Sequence, residues 1–379
     1  MKKFALLFVT VLFIAGSTEA KIRRVGFFAS PINGTDYTTF ALAYTAASSG
    51  DTILMFPNTT LSGTLAKKLT IFGPGNFLDA NTTPKGNANL QAFPGESVIS
   101  SLTIALGSEG TVIQGFRNGS IYVVADNITI MRNRNINVII AYTNPAATIT
   151  NLRVLQNYSV SISNYYSNSS AVTNMTISNN LIDYFSTALG NTYSGILSNN
   201  VWAYDATQTA NSLNGGASTL SATNSIELGA GAYVLQYNIF ASYTNAVAAS
   251  SNNYFYFSNS GFSTFNYNMA LQAGNGQPQS WGVGGTGNTI TAIANAANIF
   301  NAFPLIGTTS ADARYQLKAG SPALTAGPGS TAIGMFTGSY PYKLSTIPTI
   351  PTIYTLSSPQ GNNPPGGTIQ INVSTRGNN

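Results

Sequence analysis

The sequence predicts an all-β fold, a solenoid in which one chain winds into a single-stranded parallel β-helix beneath an N-terminal capping helix. Short apolar stretches recur with a period in the low twenties of residues, and an asparagine interrupts each at the same place. Charged residues make up only 7% of the chain, while hydrophobic residues reach 44%, which is enough to build a continuous core. This pattern favours one elongated domain over several compact ones.

A secretory signal peptide is expected at residues 1–20. Lys2 and Lys3 precede an apolar run at 4–16, and the small residue Ala20 marks the expected cleavage point. The run is shorter than a bilayer span requires, although a membrane anchor is the alternative interpretation. We therefore expect an exported mature chain without a further membrane span.

The composition excludes several classes of site and partner. The chain has no cysteine and no histidine, which excludes disulfides, thiolate metal sites and histidine general bases. The net charge of +5 comes from dispersed basic residues, and a dispersed excess does not favour nucleic acid as a partner. Polarity comes instead from Asn, Ser, Thr and Tyr, which suits an extracellular all-β protein.

An amphipathic helix is predicted at residues 36–50, before the first repeat. Asp36 is the expected N-cap and Gly50 closes the helix. Its apolar face consists of Phe40, Ala43, Tyr44 and Ala47. Since the end coil of a solenoid exposes core and unpaired strand edges, we expect this helix to cover it.

The repeat places one asparagine at the end of each strand-like stretch. An apolar residue lies three positions before each asparagine, and another usually follows directly after it. We expect the chain to bend at the asparagine, because asparagine adopts the left-handed conformation more readily than any residue except glycine. Stacked coils would set these residues about 4.8 Å apart, where their amides can form a hydrogen-bonded ladder. The predicted ladder consists of Asn133, Asn157, Asn180, Asn200, Asn238 and Asn268.

Gly115, in "VIQGF", is expected at the same bend one coil earlier. The alternative fold is an antiparallel sandwich with asparagine in ordinary turns. It is less favoured because Asn-Gly pairs, which hairpins prefer, are scarce here. Two longer gaps, at 205–232 and 272–289, predict surface loops that leave the solenoid at one corner and lie on one face.

The composition changes after residue 343. Residues 344–379 are rich in proline and end in a short alternating stretch, "TIQINVST". We expect a tail whose terminal strand returns to pair with the last coil or to cover it. A sorting or anchoring segment is the functional alternative.

Both ends of the repeat region resemble a known family. Residues 40–75 combine the predicted helix, Gly-Asp-Thr-Ile at 50–53 and a glycine-rich turn, and residues 317–323 read Leu-x-x-Gly-Ser-Pro-Ala. These segments resemble the first and last coils of secreted bacterial right-handed parallel β-helix proteins in the pectate-lyase-like superfamily. The resemblance covers most of 25–343 and implies a right-handed solenoid. It implies little about activity, since this family contains lyases, glycosidases and adhesins.

In lyases of this shape, the resemblance implies an arginine or lysine base and acidic side chains that hold calcium. No Lys or Arg occurs between Arg153 and Arg314, so the middle coils lack a basic catalytic group. Asp183 and Asp205 are the one pair of acids there that could meet, and glycosidases need such a pair. The basic cluster that remains consists of Arg117, Arg132, Arg134 and Arg153, near Asp126.

Aromatic residues indicate a candidate binding site more clearly than the charged residues do. Aromatic rings stack on sugars and, in Tyr and Trp, carry a polar group. The candidate ligand-binding residues are Tyr184, Trp202, Tyr204 and Trp281. The alternative is that these rings pack as layers of the core.

The sequence thus predicts a signal peptide at 1–20, a β-helix domain at 21–343 and a tail at 344–379. The function it favours is that of an exported, non-catalytic protein of the cell surface or extracellular matrix, structural or adhesive. Polysaccharide and further copies of the chain are the candidate partners, and no catalytic residue, metal or cofactor is assigned. The alternative is a polysaccharide lyase or glycoside hydrolase with an atypical site, and only that alternative would call for calcium.

Overall fold

The computed structural model describes most of the chain from residue 20 onward. The described residues are 20–79, 87, 90, 94–140, 148–164, 171–187, 192–203, 224–228, 231–241, 255–258, 263–272, 281, 285–292, 296–302, 310–357 and 371–378. The predicted signal peptide, apart from residue 20, lies outside them.

Two parallel sheets of twelve strands each dominate the described residues, with strands numbered here along the chain. Sheet I contains β1 (Ile22–Val25), β2 (Asp36–Tyr37), β3 (Thr52–Met55), β5 (Thr70–Phe72), β7 (Val112–Gln114), β9 (Thr129–Met131), β11 (Thr148–Thr150), β12 (Arg153–Leu155), β14 (Ala171–Ser178), β16 (Thr192–Ser198), β19 (Ala232–Gln236) and β22 (Thr264–Asn266). Sheet II contains β4 (Thr60–Leu65), β6 (Val98–Ile104), β8 (Arg117–Val123), β10 (Arg134–Ile140), β13 (Tyr158–Asn164), β15 (Leu181–Ser186), β17 (Val201–Ala203), β18 (Asn224–Glu227), β20 (Ile239–Ala241), β21 (Phe255–Ser258), β23 (Met269–Gln272) and β24 (Thr289–Ala292). A separate antiparallel pair consists of β25 (Thr352–Ser357) and β26 (Asn372–Arg376).

Successive strands alternate between the two sheets. From β3 to β10, odd-numbered strands join sheet I and even-numbered strands join sheet II. Each strand pairs in parallel with the strand one coil earlier, so that Thr70 pairs with Thr52 and Val112 pairs with Thr70. The architecture is therefore mostly parallel strands in stacked sheets, and it is compatible with a β-helix.

A continuous apolar core lies between the sheets. Register partners on nine strands of sheet I point into it, since side chains alternate along each strand. These inward residues are Ile53, Ile71, Ile113, Ile130, Val154, Ile177, Leu197, Leu235 and Phe265, all fully buried. The last six are the apolar residues that the sequence places three positions before an asparagine.

A column of buried asparagines lies where six strands of sheet I, namely β9, β12, β14, β16, β19 and β22, lead into the sheet II strands that follow them. The Oδ1 atom of each asparagine accepts hydrogen bonds from the backbone N–H and the Nδ2 of the asparagine one coil earlier. The Nδ2–Oδ1 distances from Asn133 to Asn268 run from 2.9 to 3.2 Å. Asn288 extends the column, since its Oδ1 lies 3.0 Å from Nδ2 of Asn268. It is not among the predicted positions because Gly285 breaks the apolar pattern before it.

The sequence predicts the left-handed conformation at the ladder asparagine itself. In the structure, the residue before each ladder asparagine adopts it instead. This column consists of Arg132, Gln156, Asn179, Asn199, Tyr237 and Tyr267, with φ between 54° and 60°. Gly115, with φ of 82°, belongs to this column and not to the ladder. Phe116 follows it and donates its backbone N–H to Oδ1 of Asn133. The bend needs the left-handed residue one position earlier, so that the asparagine side chain can point along the stack.

Helix α1 spans Phe40–Ala46 and is shorter than the predicted helix at 36–50. Its N-cap is Thr39, not Asp36, because Asp36 lies in β2 and accepts hydrogen bonds from the Arg24 guanidinium at 2.6 and 2.8 Å. That hydrogen bond also lowers the pKa of the Asp36 carboxyl. Phe40, Ala43 and Ala47 are buried in the main core, on the predicted face. The role of α1 as a cap stays a prediction.

A second apolar cluster lies on the outer side of sheet II. The residue directly after five of the ladder asparagines points away from the main core, and the C-terminal part of the chain covers it. The covered residues are Tyr158, Leu181, Val201, Ile239 and Met269, and the covering residues include Phe300, Ala311, Tyr315, Ile333, Met335 and Tyr342. Phe300 directly follows the short helix α2 (Ala296–Ile299), and 3₁₀ turns lie at Ala313–Tyr315 and Pro322–Leu324. The described part of 301–336 therefore adds no strand to either sheet, although the sequence resembles the last coils of a solenoid there.

Residues 333–350, here called the C-terminal strap, run back along the left-handed column toward the first coils. The backbone N–H of Gly334 donates to the carbonyl of Tyr237, and Asn179 Nδ2 donates to the carbonyl of Met335. Farther along, Arg132 donates to the carbonyl of Ile347. The strap crosses the predicted boundary at 343/344 without a break and includes a 3₁₀ turn at Leu344–Thr346.

The tail does not pair with the last coil. Thr352 and Arg376, at the base of the antiparallel pair, both bond to the carbonyl of Leu90, near the first coils. Among the described strands, β25 and β26 pair only with each other. The expected return to the last coil is therefore wrong, because the strap has already carried the chain to the opposite end of the stack.

Candidate functional site

The outer face of sheet II carries two rows of small polar side chains interspersed with tyrosine. The rows arise because the strands pair in register and alternate residues point outward. One row contains Ser101, Ser120, Asn137, Ser161 and Tyr184, and the other contains Thr64, Thr103, Tyr122, Ile139 and Ser163. We call these two rows the polar face.

A left-handed residue near the start of each central strand separates the polar face from the covered apolar cluster. Asn118, Asn135 and Ser159 have φ of 51°, 50° and 58° and occupy the second position of β8, β10 and β13. Like a β-bulge, such a residue re-aims the side chains that follow it. The first residue of each strand, such as Tyr158, can then face the C-terminal segment, while Ser161 faces outward.

Two tyrosines stand on the polar face. Tyr184 is 39% exposed, and Tyr122 is half-buried. The ten residues of the polar face carry no charged side chain, and in register the second row continues beyond them through Ser186 to Glu227 of β18. Asp183, next to Tyr184, accepts a hydrogen bond from the hydroxyl of Ser159. The face therefore offers aromatic rings, hydroxyls and an amide without net charge.

The four predicted aromatic ligand residues do not form one platform. Tyr184 lies on the polar face, but Trp202 is only 3% exposed and stacks on Phe240 inside the core, with ring centroids 5.4 Å apart. Trp281 is half-buried and packs against Phe240 at 6.1 Å. Tyr204 lies outside the described residues. Trp202 follows its ladder asparagine by two positions and so takes an inward place in β17, which sequence spacing alone did not reveal.

The predicted basic cluster does not converge on one groove either. Arg117 and Arg134 are register partners that share Glu96, at 3.0 and 3.4 Å. Arg153 lies over the ring of Tyr340 in the strap, with its guanidinium carbon 5.3 Å from the ring centroid. Asp126 accepts the backbone N–H of Thr150 instead.

Arg132 is buried beneath the strap. It donates to the carbonyls of Ile347 and Asn378 and to Oε1 of Gln156. Burial lowers the pKa of Arg132 to about 10, so the side chain remains charged at neutral pH. These contacts assign Arg132 to holding the strap and the terminal strand in place.

A buried carboxylate anchors the strap near Arg134. Asp312 accepts the backbone N–H of Ser345 at 2.6 Å, the hydroxyl of Tyr342 at 3.3 Å and the amide of Asn87 at 3.0 Å. Burial and the neighbouring Asp312 raise the pKa of the Tyr342 hydroxyl well above its ordinary value. Tyr342 therefore stays protonated and keeps its hydrogen bond. None of these residues was singled out from the sequence, because their partners are more than 200 positions apart in some cases.

Both predicted insertions start at the same edge of sheet II. The one at 205–232 follows β17, and the one at 272–289 begins at the last residue of β23. Most of their residues lie outside the described part of the chain. Within the first, residues 224–227 form β18 of sheet II, so the expectation of a surface loop is wrong for that part.

An apolar cavity of about 620 Å³ lies between the strap and the first coils. Its lining includes Phe56, Pro57, Phe72, Pro348 and Ile353. Only Asn58 and Thr352 in this lining have hydrogen-bonding side chains, so the cavity offers few groups that could orient the hydroxyls of a sugar. The polar face is the better candidate for a saccharide.

Comparison of the chain with known protein families, with curated proteins and with solved structures finds no match. Among the described residues, no three acidic side chains gather as a metal site would require. The described helices are all too short or too polar to cross a bilayer. The polar face therefore has to be interpreted from its own chemistry.

Proposed function

We propose that this chain is an exported right-handed parallel β-helix protein of the pectate-lyase-like superfamily. In this proposal it acts at the cell surface or in the extracellular matrix, as a structural or adhesive component. It binds polysaccharide through the polar face of sheet II and does not cleave it.

The strand order supports the proposed solenoid. Alternation between two parallel sheets and one unbroken amide column are what a chain coiling once per repeat would produce. Right-handedness is supported by the general preference of parallel crossover connections. The burial of Phe40 and Ala43 in the main core supports α1 as the cover of the first coil. The leader-like residues 1–20 support export.

The observation that carries the proposed binding is the chemistry of the polar face. Sugars are bound by aromatic rings that stack on their apolar faces and by polar groups that bond their hydroxyls. Tyr122 and Tyr184 supply the rings, and Ser120, Asn137 and Ser161 supply the polar groups. These residues lie on neighbouring strands of one sheet, which makes the arrangement rigid.

Binding is favoured over cleavage by the way the arginines are used. Arg132 and Arg153 contact the strap, and Arg117 and Arg134 share a single carboxylate. An eliminating lyase needs a base beside the scissile sugar and a cation to hold the developing charge. These four arginines instead have structural partners.

The proposal is tested by incubating the mature protein with insoluble cellulose, chitin, mannan and cross-linked pectin, followed by sedimentation. The same mixtures are assayed for unsaturated products by ultraviolet absorbance and for new reducing ends. We expect depletion of the protein by at least one neutral polysaccharide and no product. Failure to bind any of them, or accumulation of product, would overturn the proposal.

A further inference from the structure

We infer that the ligand of the polar face is a linear, uncharged glycan that lies along the direction in which the strands stack, with one sugar on Tyr122 and another on Tyr184. This inference rests on the proposed polysaccharide binding. It adds the charge class of the ligand, its orientation and two points of contact.

The register fixes the separation of the two rings. Tyr122 lies on β8 and Tyr184 on β15, three strand steps apart in sheet II. At about 4.8 Å for each step, the span is about 14 Å along the stack. Tyr184 lies in the neighbouring row, so the two rings are also offset by two residues, about 7 Å, along the strand direction. A disaccharide is shorter than this, so contact with both rings requires an oligomer.

The polar residues between the two tyrosines can form hydrogen bonds with sugar hydroxyls. Asn137 lies one strand beyond Tyr122, and Ser161 and Ser163 lie one strand farther on. Ile139, in the same row as Tyr122, offers an apolar contact for a sugar ring face. The track from Tyr122 to Tyr184 therefore alternates stacking surface with hydrogen-bonding groups.

Charged residues on the strands of the track have partners of their own, and the residue that continues the second row past Ser186 is an acid, Glu227. Arg117 and Arg134 share Glu96, and Asp183 accepts a hydrogen bond from Ser159. A uronate or sulfate group would need a cation on the track itself, and its two rows hold none. The chemistry of the track thus matches a neutral glycan.

The orientation follows from what borders the face. On one side, the covered cluster at Tyr158 and Leu181 is fully buried beneath the C-terminal segment, which includes Ala311. A ligand crossing the strands would run into this segment. A ligand that lies along the stack passes from strand to strand over the polar face and does not meet this segment.

The two tyrosines can be replaced by residues that the same rows already carry. Thr103 precedes Tyr122 in its row, and Ser161 precedes Tyr184. Tyr122→Thr and Tyr184→Ser should therefore fold, which unchanged melting temperatures would verify. Tyr354→Ser is the matched control, because Tyr354 is 37% exposed but lies on β25, away from sheet II.

The test is calorimetric titration with cellohexaose, mannohexaose and chitohexaose, the corresponding disaccharides, and a hexamer of galacturonate. We expect at least one neutral hexasaccharide to bind, its disaccharide to bind at least tenfold more weakly, and each tyrosine variant to lose about fivefold in affinity, as stacking contacts typically contribute. The Tyr354→Ser control should bind like the unmodified protein.

The outcomes separate the two proposals. If neither these oligomers nor any insoluble polysaccharide binds, the proposed function fails. If a neutral glycan binds but both tyrosine variants retain full affinity, or the disaccharide binds equally well, only the inferred track fails. Tighter binding of the galacturonate hexamer would overturn the neutral class.

Discussion

At the scale of single residues, the side-chain amide of Asn180 links three successive coils. Its Oδ1 accepts from the backbone N–H and the Nδ2 of Asn157, each at 2.9 Å. Its Nδ2 donates to the carbonyl of Val154 at 2.8 Å and to Oδ1 of Asn200 at 3.0 Å. Buried polar groups are costly when unpaired, so each amide in the column depends on its neighbours.

Replacing Asn180 with alanine should destabilise the fold strongly. Asn180→Ala removes the acceptor for two donors of Asn157 and the donor for the Val154 carbonyl, all of them buried. At about 1–3 kcal/mol for each buried group left unpaired, we expect a loss of about 4 kcal/mol in the free energy of unfolding. Urea denaturation followed by circular dichroism measures it.

Asn137→Ala is the matched control, because Asn137 points outward from the same stack. Substitutions at such surface positions usually change stability by no more than about 0.5 kcal/mol. Equal losses for Asn180→Ala and Asn137→Ala would contradict the assignment of Asn180 to a buried ladder.

At the scale of elements, the C-terminal strap shows how a segment without strands can hold a sheet together. Its carbonyls accept hydrogen bonds from Arg132, Gln156 and Asn179, which lie in the left-handed column on three successive coils. These side chains point outward at the bend, where the strap covers them and supplies their acceptors. The strap thus joins distant coils that contact one another only through their neighbours.

Gly334 provides a test of how closely the strap packs. Its φ is 93°, and a Cβ there would lie 2.9 Å from Cδ1 of Ile239. Gly334→Ala should therefore cost about 3 kcal/mol, combining the strain of a left-handed alanine with overpacking. Thermal denaturation measures the total loss.

Gly320→Ala separates strain from packing. Gly320 has a similar φ of 78°, but no atom lies within 4 Å of the added carbon. We expect only the backbone term of about 1–2 kcal/mol. If Gly334→Ala lost no more stability than Gly320→Ala, the strap would not pack on Ile239 as described.

The elements differ in how far the sequence predicts them. The ladder positions are visible because each lies three residues after an inward apolar residue, such as Ile177 before Asn180. The strap is not visible, because its contacts join residues as distant as Asn76 and Thr346, and no local periodicity encodes such a pairing. The covered cluster is visible in the sequence only in part, as the apolar residue that usually follows a ladder asparagine.

The candidate site was predicted only in part, for a related reason. Tyr184, four residues after Asn180, is an outward residue of β15, but Trp202, two residues after Asn200, occupies an inward place in β17, although simple alternation would put both on the same side. A left-handed residue near the start of a strand, as at Ser159, or a shift in register, as between Val160 and Ser161, moves the outward positions. Composition cannot reveal such shifts, so the polar face emerged only from strand pairing.

At the scale of the whole molecule, parallel strands stack from the first coils to the last in a register that is broken only locally where the described strands shift, as between Val160 and Ser161. The core, the ladder and the polar face all depend on it, since a slip by one residue would turn every outward side chain inward. The chain contains no cysteine, so paired cysteines can report the register without interference.

The most direct measurement is disulfide formation in the variant Ser120→Cys/Asn137→Cys. These register partners lie on neighbouring parallel strands, about 4.8 Å apart and within the range that a disulfide spans. Under mild oxidation, we expect loss of both free thiols without a loss of stability. Ser120→Cys/Ile139→Cys, offset by two residues and about 8 Å apart, should keep its thiols. Free thiols in the first variant, or equal cross-linking in both, would contradict the stacked parallel register.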